Sequence, residues 1–529
     1  MRAVHLVPAG AVLVALAVIG GVAQLDHPAA SRSAASAAVT RQVAIISATR
    51  ACPPAPGSGS APVTLLGGRP GATGTSGQAT GTSGQATGTS GQATGTSGQG
   101  SHIDLTALPP AGLTLRPASP VRAQSPGVTS LLTLPAGTVT GKKSGPVAQG
   151  WSVAGNGSMA QSLEAELADS TGMATVRCGI PGSDLWFVGP GQQNGASKIS
   201  LDLMNVDSLA ASVDVSVITD AGQSQAGNDT GITVPPHQTV TESLSSVASG
   251  SSVVAIEVHT SIGRVVADVS EGSSDATSGW LPVTAAPSTR LVIPGVPPSG
   301  SAAGLFVADP GDSSAKVTVT AITPQQNFRP FGAQSVDLPG QSAAYVALSP
   351  LGGTNAALQI TSNVPVVAGV VVPGTAADAA TGATATAATA TAATVPISEQ
   401  AVVAGTTSGS GLSASVVLSA PGAAARVQLT EIAPASHGGG SVTASQVVPV
   451  KAGRTQVAAV AGPKGAKHGA AFAVVITPLA GSGPVYAARV ETKEQSTVVS
   501  IIPAASTLTT ISLPPVRNSY NAISPQGGQ

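Results

Sequence analysis

Three stretches of the chain carry one pattern of apolar and polar positions with no gap. They are Leu201–Thr219, Leu305–Thr323 and Ser415–Ala433. Each reads as a strand, a polar turn and a second strand, which predicts a hairpin. The second strand holds apolar residues at matched places: Val213, Val215 and Ile218; Val317, Val319 and Ile322; Val427, Leu429 and Ile432. A period of two puts the first two of each set on one sheet face. The turns fall at Asn205–Asp207, Asp309–Asp312 and Ala420–Gly422. Asp-Pro-Gly and Ala-Pro-Gly favour such turns because Pro presets φ and Gly permits positive φ.

The match extends outward. Ile293-Pro294-Gly295 and Val403-Ala404-Gly405 precede their predicted hairpins by the same interval, and Thr260-Ser261 with Val265-Val266-Ala267 recurs as Thr361-Ser362 with Val366-Val367-Ala368. Short Val-rich strands between Gly/Pro turns predict an all-β chain of tandem antiparallel β-sandwich repeats, immunoglobulin-like in pattern. A β-propeller is the rival, but its blades run to roughly 40–50 residues and these units are about twice that. The expected units are residues 43–285, 286–375 and 396–515, with an Ala/Thr linker at 376–395 and a polar tail at 516–529. Gln161–Asp169 (QSLEAELAD) reads best as a short helix, with a strand as the alternative.

Two segments stand outside the β pattern. Four identical ATGTSGQ heptapeptides fill residues 72–99, inside the first unit. They have no apolar positions and read as a disordered, solvated insert. At the N-terminus an uncharged run extends from Leu6 to Leu25 after Arg2. Twenty helical residues span roughly 30 Å, the thickness of a bilayer core. Residues 1–25 are therefore expected to be a signal peptide or a signal anchor, and 26–42 a spacer. Everything beyond would then lie outside the cytoplasm, secreted or anchored to the membrane through that segment.

Composition sharpens this picture. Aromatic residues make up 2% and charged residues 9% of 529, so cores should be aliphatic. A net charge of −1 offers no long-range attraction to a polyanion, and no nucleic-acid partner is expected. The chain has two cysteines. Export favours oxidation, so Cys52 and Cys178 are expected to form a disulfide tying the strand at Val43–Ile46 to the first unit across the heptapeptide insert. Trp186 sits near Cys178 in sequence and is expected to pack against the disulfide in the core. Its alternative role is an exposed platform for a sugar ring.

Little in the chain points to catalysis. No two histidines have metal-ligand spacing, and Gly-x-Ser-x-Gly is absent. Asp309 and Asp312 read as turn residues and not as Ca²⁺ ligands. No catalytic, cofactor-binding or metal-binding residue is assigned. A glycosidase-like site would need two of Asp184, Asp202, Asp214 and Glu257 brought together in a cleft.

The motifs Arg50-Ala51-Cys52-Pro53, Arg177-Cys178-Gly179, Asp184-Leu185-Trp186-Phe187-Val188-Gly189 and the strand pair from Leu201 resemble those of actinobacterial secreted or membrane-anchored proteins. That group is domain-of-unknown-function family 5719, and the resemblance covers roughly residues 10–515 without the insert. It implies an extracytoplasmic place and a link to the cell envelope. The expected function is a non-enzymatic structural or interaction protein that presents its repeats to a glycan or protein partner of the envelope. The alternative is an envelope glycan-processing enzyme, or an accessory subunit of one.

Overall fold

The computed structural model describes residues 41–513, except 56–60, 69–100, 113–120, 125–128, 137–138, 142–144, 148, 169–173, 195, 197, 225–229, 273–278, 299–302, 349–350, 352, 373–387, 410, 435–439, 464–469 and 494–496. The membrane segment expected at 1–25, most of the spacer, the heptapeptides and the polar tail lie outside the described residues. Among the described residues the regular structure is β, apart from two 3-10 turns at Gly157–Ala160 and Gln192–Asn194. None of their helices is long and apolar enough to cross a membrane. Strand Arg41–Ala44 pairs with Thr510–Leu513 in a two-stranded sheet.

The body from residue 44 to 510 contains four modules, each made of two antiparallel sheets around one core. In the second module one sheet runs Asp184–Pro190, Val253–Ile262, Ala211–Thr219, Ile232–Val234; the other runs Thr239–Ser243, Lys198–Met204, Val266–Gly272, Gly279–Leu281. In chain order these are the first, sixth, third and fourth strands, then the fifth, second, seventh and eighth. The fourth module repeats the order with Gln400–Thr406, Phe472–Pro478, Ala425–Pro434, Gly440–Val450 and Arg454–Val460, Leu412–Ala420, Tyr486–Lys493, Thr497–Pro503. In the third module Ala356–Val372 serves both sheets. Its first part pairs with Ser288–Val296 and Ala315–Ile322, and its last part with Gly304–Asp309 and Thr389–Ala392.

The same order recurs near the N-terminus. Ser47–Cys52, Gly150–Asn156, His102–Leu108 and Val121–Gln124 form one sheet, and Thr129–Ala136, Ala61–Gly68, Glu164–Ala168 and Thr175–Arg177 the other. Residues 43–285, expected as one unit, therefore hold two modules. The heptapeptides fall between the second and third strands of the first. That is the place of the short turn by which the other three modules align, so the insert interrupts the pattern that would have revealed the fourth copy.

The aligned strand pairs are not hairpins. In each, the two strands belong to opposite sheets of the module, so the turn carries the chain across the core. Buried polar side chains hold two of these corners. Asn205 donates through Nδ2 to the carbonyls of Leu209 (2.7 Å) and Val234 (3.0 Å), and Asp309 accepts from the Gly311 amide at 2.9 Å. The matched residues Val213, Val215, Val317, Val319, Val427 and Leu429 all lie in the module cores.

Two further expectations are corrected. Glu164–Ala168, inside the expected helix, is a strand paired with Ala61–Gly68. Alternation puts Ala165 and Leu167 into the core, and the glutamates on the opposite face pair with arginines, Glu164 with the partly buried Arg177 and Glu166 with the buried Arg489. A nine-residue helix is marginal alone, and these contacts override its propensity. The Ala/Thr stretch read as a linker contains the buried strand Thr389–Ala392. Small side chains suit it because the strands Gly279–Leu281 and Thr497–Pro503 pack closely on it and all four of its residues are buried.

Candidate functional site

Each module packs against the next, and the fourth packs against the first. Ala51 and Leu108 meet Met204 and Val266. The core of the second module continues into Phe306, Ala308, Ala343 and Val367 of the third. The core of the third continues into Val417, Ala488, Val490 and Ile501 of the fourth. Leu66 and Leu131 then meet Val402, Ala404, Ile432 and Val475, which completes the cycle.

At the centre of that cycle the eighth strands of the four modules stand side by side: Thr175–Arg177, Gly279–Leu281, Thr389–Ala392 and Thr497–Pro503. Gly279 permits the closest approach, since a Cβ there would lie 2.2 Å from the Ala388 carbonyl oxygen. The strands surround a cavity of about 290 Å³. Val176 comes from the first module, Leu185 and Trp280 from the second, Ala390 from the third, and Val499 and Ile501 from the fourth. Three aliphatic residues of the lining are unusually exposed: Ile180 at 48%, Val283 at 38% and Val395 at 57%.

The lining also holds Arg177, Asp268 and four threonines. Asp268 Oδ2, Trp280 Nε1 and Thr394 Oγ1 are buried beneath its surface and have no hydrogen-bond partner among the described residues. Asp268 stands in register with Asp202 on the neighbouring strand. Burial pushes the Asp268 carboxyl well above its ordinary range, and Asp202 pushes it further. Burial also raises Asp202 to about 6, although Thr241 donates to it at 2.5 Å. Glu271, three residues beyond Asp268 on the same strand, is raised to about 8 by burial. Arg177 also lines the cavity, but its guanidinium is committed to Glu164 through two bonds of 2.6 and 2.5 Å.

Buried charges join the first and fourth modules beside the cavity. Arg489 Nη1 meets Glu166 Oε2 at 2.6 Å, and its Nη2 donates to Thr175 and Ser500, each at 3.1 Å. The second oxygen of Glu166 accepts from the Ala404 amide at 2.7 Å, and Glu491 accepts from the Thr407 amide at 2.6 Å. Burial opposes the charge on Arg489, but Glu166 and Glu491 outweigh it and its pKa rises. Arg50, 3.9 Å from Glu164, is lowered to about 10 chiefly by burial.

The sequence foresaw part of this arrangement. Cys52 and Cys178 form a disulfide with Cα atoms 4.2 Å apart. The tryptophans clustered with that disulfide are Trp280 and Trp151, the latter opposite Cys52 on the neighbouring strand; Trp186 packs in the second module's cluster. At 4% exposure, Trp186 offers no platform to a sugar ring. Asp184 and Asp214 flank His259 across three strands, and Glu257 follows one register step away, so these lie on one sheet face. Asp202 belongs to the other sheet, and its carboxylate neighbour is Asp268, which no sequence motif marked. Asp309 serves the turn described above. Among the described residues no group of three or more His, Cys, Asp or Glu could hold a metal ion. Small and β-branched residues fill the last strands of the third and fourth modules, TATA and TVVSIIP, but the first and second have Thr-Val-Arg and Gly-Trp-Leu, so no shared signal marked the cavity.

A family model described as a family of unknown function, DUF5719, matches residues 121–461. The match begins after the Arg50–Pro53 motif and includes the rest of the motifs that carried the resemblance. No curated protein matches the chain.

Proposed function

The chain belongs to the family of unknown function DUF5719, and we propose that it is a non-enzymatic interaction protein of the cell envelope, held outside the cytoplasm. Its modules are read as tandem β-sandwiches that present an outer surface to a protein or glycan partner. They share the two antiparallel sheets of an immunoglobulin-like domain. Their strand order differs: strands one, six, three and four form one sheet and five, two, seven and eight the other, so the ABED and CFG grouping is not followed.

The observation that carries the reading is strand Gly440–Val450. It stands at the edge of its sheet, is exposed over most of its length, and includes no charged residue. Val442 and Val447 are 55% and 48% exposed along it. Lysine, proline or a bulge usually blunts such an edge, because unpaired backbone groups template another strand; here Pro449 and a bulge at Thr443 bound the strand, and Ala444–Val448 between them has neither. An extended segment of a partner protein could add there by main-chain hydrogen bonds. The disulfide supports an oxidising compartment.

The test is crosslinking and pull-down of the chain from intact envelopes, with Val442→Lys and Val447→Lys as controls. Capture of a defined envelope component that the lysine variants lose is the expected result. Equal capture by wild type and variants, or none above an unrelated exported β-protein, overturns the reading.

A further inference from the structure

We propose that the cavity enclosed by the four eighth strands binds an extended alkyl chain by its shape alone. The chain enters end-on and leaves its head group, whatever its charge, in solvent at the rim of Ile180, Val283 and Val395. This goes beyond the interaction surface proposed above and does not depend on it.

The shape of the cavity selects a chain. Its wall runs from Ala174 to Ile180 in the first module, from Ala388 to Val395 in the third and from Val499 to Ala505 in the fourth. Extended backbone advances about 3.3 Å per residue, so walls of this length give a depth of roughly 20 Å. Spread over that depth, a volume of about 290 Å³ leaves a mean section of roughly 15 Å². A compact cavity of ~150 Å³ that holds one benzene has a section of about 28 Å². The cavity is therefore long and too narrow for a ring. The apolar group that fills such a space in contact with its walls is a single polymethylene chain.

The wall selects hydrocarbon. Its threonines are engaged within the protein: Thr284 Oγ1 donates to the Ala368 carbonyl at 3.1 Å, Thr389 Oγ1 accepts from the Ile501 amide at 2.9 Å, and Thr175 Oγ1 accepts from Arg489 at 3.1 Å. Asp268 Oδ2, Trp280 Nε1 and Thr394 Oγ1 lie beneath the surface, out of reach of a ligand. Arg177 is paired with Glu164 along one edge. Among the described residues the lining thus offers a head group no anchor besides that neutralised pair. A polar head is better hydrated outside than buried without partners.

The rim supplies the entrance. Ile180, Val283 and Val395 each stand two or three residues beyond the end of their module's eighth strand, and Ala505 holds the matching place in the fourth module. The first three are exposed aliphatic residues gathered at one cavity, which favours an apolar entrant. A methylene chain passes such a rim without crossing a polar collar, and a bulky head stops there. All four modules contribute wall residues, so no module holds the site by itself.

The experiment uses the purified full chain with its disulfide intact and decyl probes below their micellar concentrations. Decanoate, decyltrimethylammonium and decyl maltoside carry an anionic, a cationic and a bulky neutral head. Calorimetric titration should give saturable binding of all three, with dissociation constants within tenfold of one another. Adamantane-1-carboxylate, similar in carbon number but not a chain, should bind at least tenfold more weakly than decanoate. So should hexanoate, which is four methylenes shorter. 10-Bromodecanoate should quench tryptophan emission, and Trp280→Phe should abolish the quenching that Trp151→Phe and Trp186→Phe retain. Val395→Trp adds bulk at the exposed rim, where folding is least at risk, and should weaken all three decyl probes at least tenfold. Absence of saturable binding overturns the proposal. So does a preference of more than tenfold for one head group, adamantane-1-carboxylate or hexanoate matching decanoate, full binding by Val395→Trp, or quenching that survives Trp280→Phe.

Discussion

Arg489 of the fourth module and Glu166 of the first meet at 2.6 Å with both side chains almost fully buried, 323 positions apart in the chain. A pair this deep is held by its further bonds: Thr175 and Ser500 on the arginine, and the Ala404 amide on the glutamate. Desolvation of two ions is offset only when the remaining donors and lone pairs are satisfied. Here they come from both modules, so the pair reports directly on closure of the cycle.

Removing one partner should therefore be far worse than removing both. Arg489→Met leaves Glu166 and Glu491 buried without their cation, which is expected to destabilise by about 3–5 kcal/mol. Glu166→Gln combined with Arg489→Met should be clearly milder than the sum of the single changes. Denaturant midpoints of the three variants, arranged as a double-mutant cycle, measure the difference. Additive losses would mean that the two side chains do not act as a pair.

The disulfide should matter more than the length of the insert it encloses. Cys52 and Cys178 close a separation of 126 residues, for which the chain-entropy model gives about 4–5 kcal/mol. Cys52→Ala with Cys178→Ala should lower stability by that order. Deleting two of the four heptapeptides with the disulfide intact should shift it by less than about 1 kcal/mol, because closure entropy changes only with the logarithm of loop length. A large shift on deletion would show that the repeats take part in the fold.

Stability should fall as pH rises above the range where unfolded carboxyls titrate. Asp202 is raised to about 6 and Glu271 to about 8. Between the unfolded values and these, the folded chain binds more protons than the unfolded chain, so the slope of unfolding free energy with pH is negative. The stabilisation is complete below the unfolded pKa and is lost as pH passes each folded value. Each group contributes a slope of up to ~1.4 kcal/mol per pH unit inside its window. Glu271→Gln should flatten the profile from about pH 4.5 to 8, and Asp202→Asn from about 4 to 6. Urea titrations at a series of pH values would detect this; an unchanged slope in both variants contradicts the assignment.

Gly279 should tolerate no side chain. A Cβ there would stand 2.2 Å from the Ala388 carbonyl oxygen, a backbone atom that cannot swing aside. Gly279→Ala is expected to part the second and third modules at their eighth strands, with a loss of about 1–3 kcal/mol from overpacking. Gly112→Ala is a poor control, because its φ of +79° is itself strained by a side chain. Gly422, with nothing near its Cβ and no left-handed φ, is the suitable one. Equal thermal midpoints for the Gly279 and Gly422 variants would mean that the strands are not held this closely.

The sequence by itself determined the β character, the repeated module and the disulfide. Those depend on local alternation, turn residues and compartment. Val213 with Val215, and their counterparts, carry the core period wherever the module sits in the chain. Two cysteines allow only one bridge. The sequence alone did not expose the fourth copy, because ATGTSGQ repeats stand where the aligning turn would be.

Tertiary structure decided the rest. Whether Asn205–Asp207 folds a strand back or sends it across the core depends on partners such as Val234, which are distant in sequence. Glu164–Ala168 becomes a strand because Arg177 and Arg489 receive its glutamates. The cavity arises only when four last strands meet, and Trp280, one of the residues beside the disulfide, reaches it from the second module. Side chains spread over more than 300 positions acquire a shared chemistry there through packing, which no local pattern encodes.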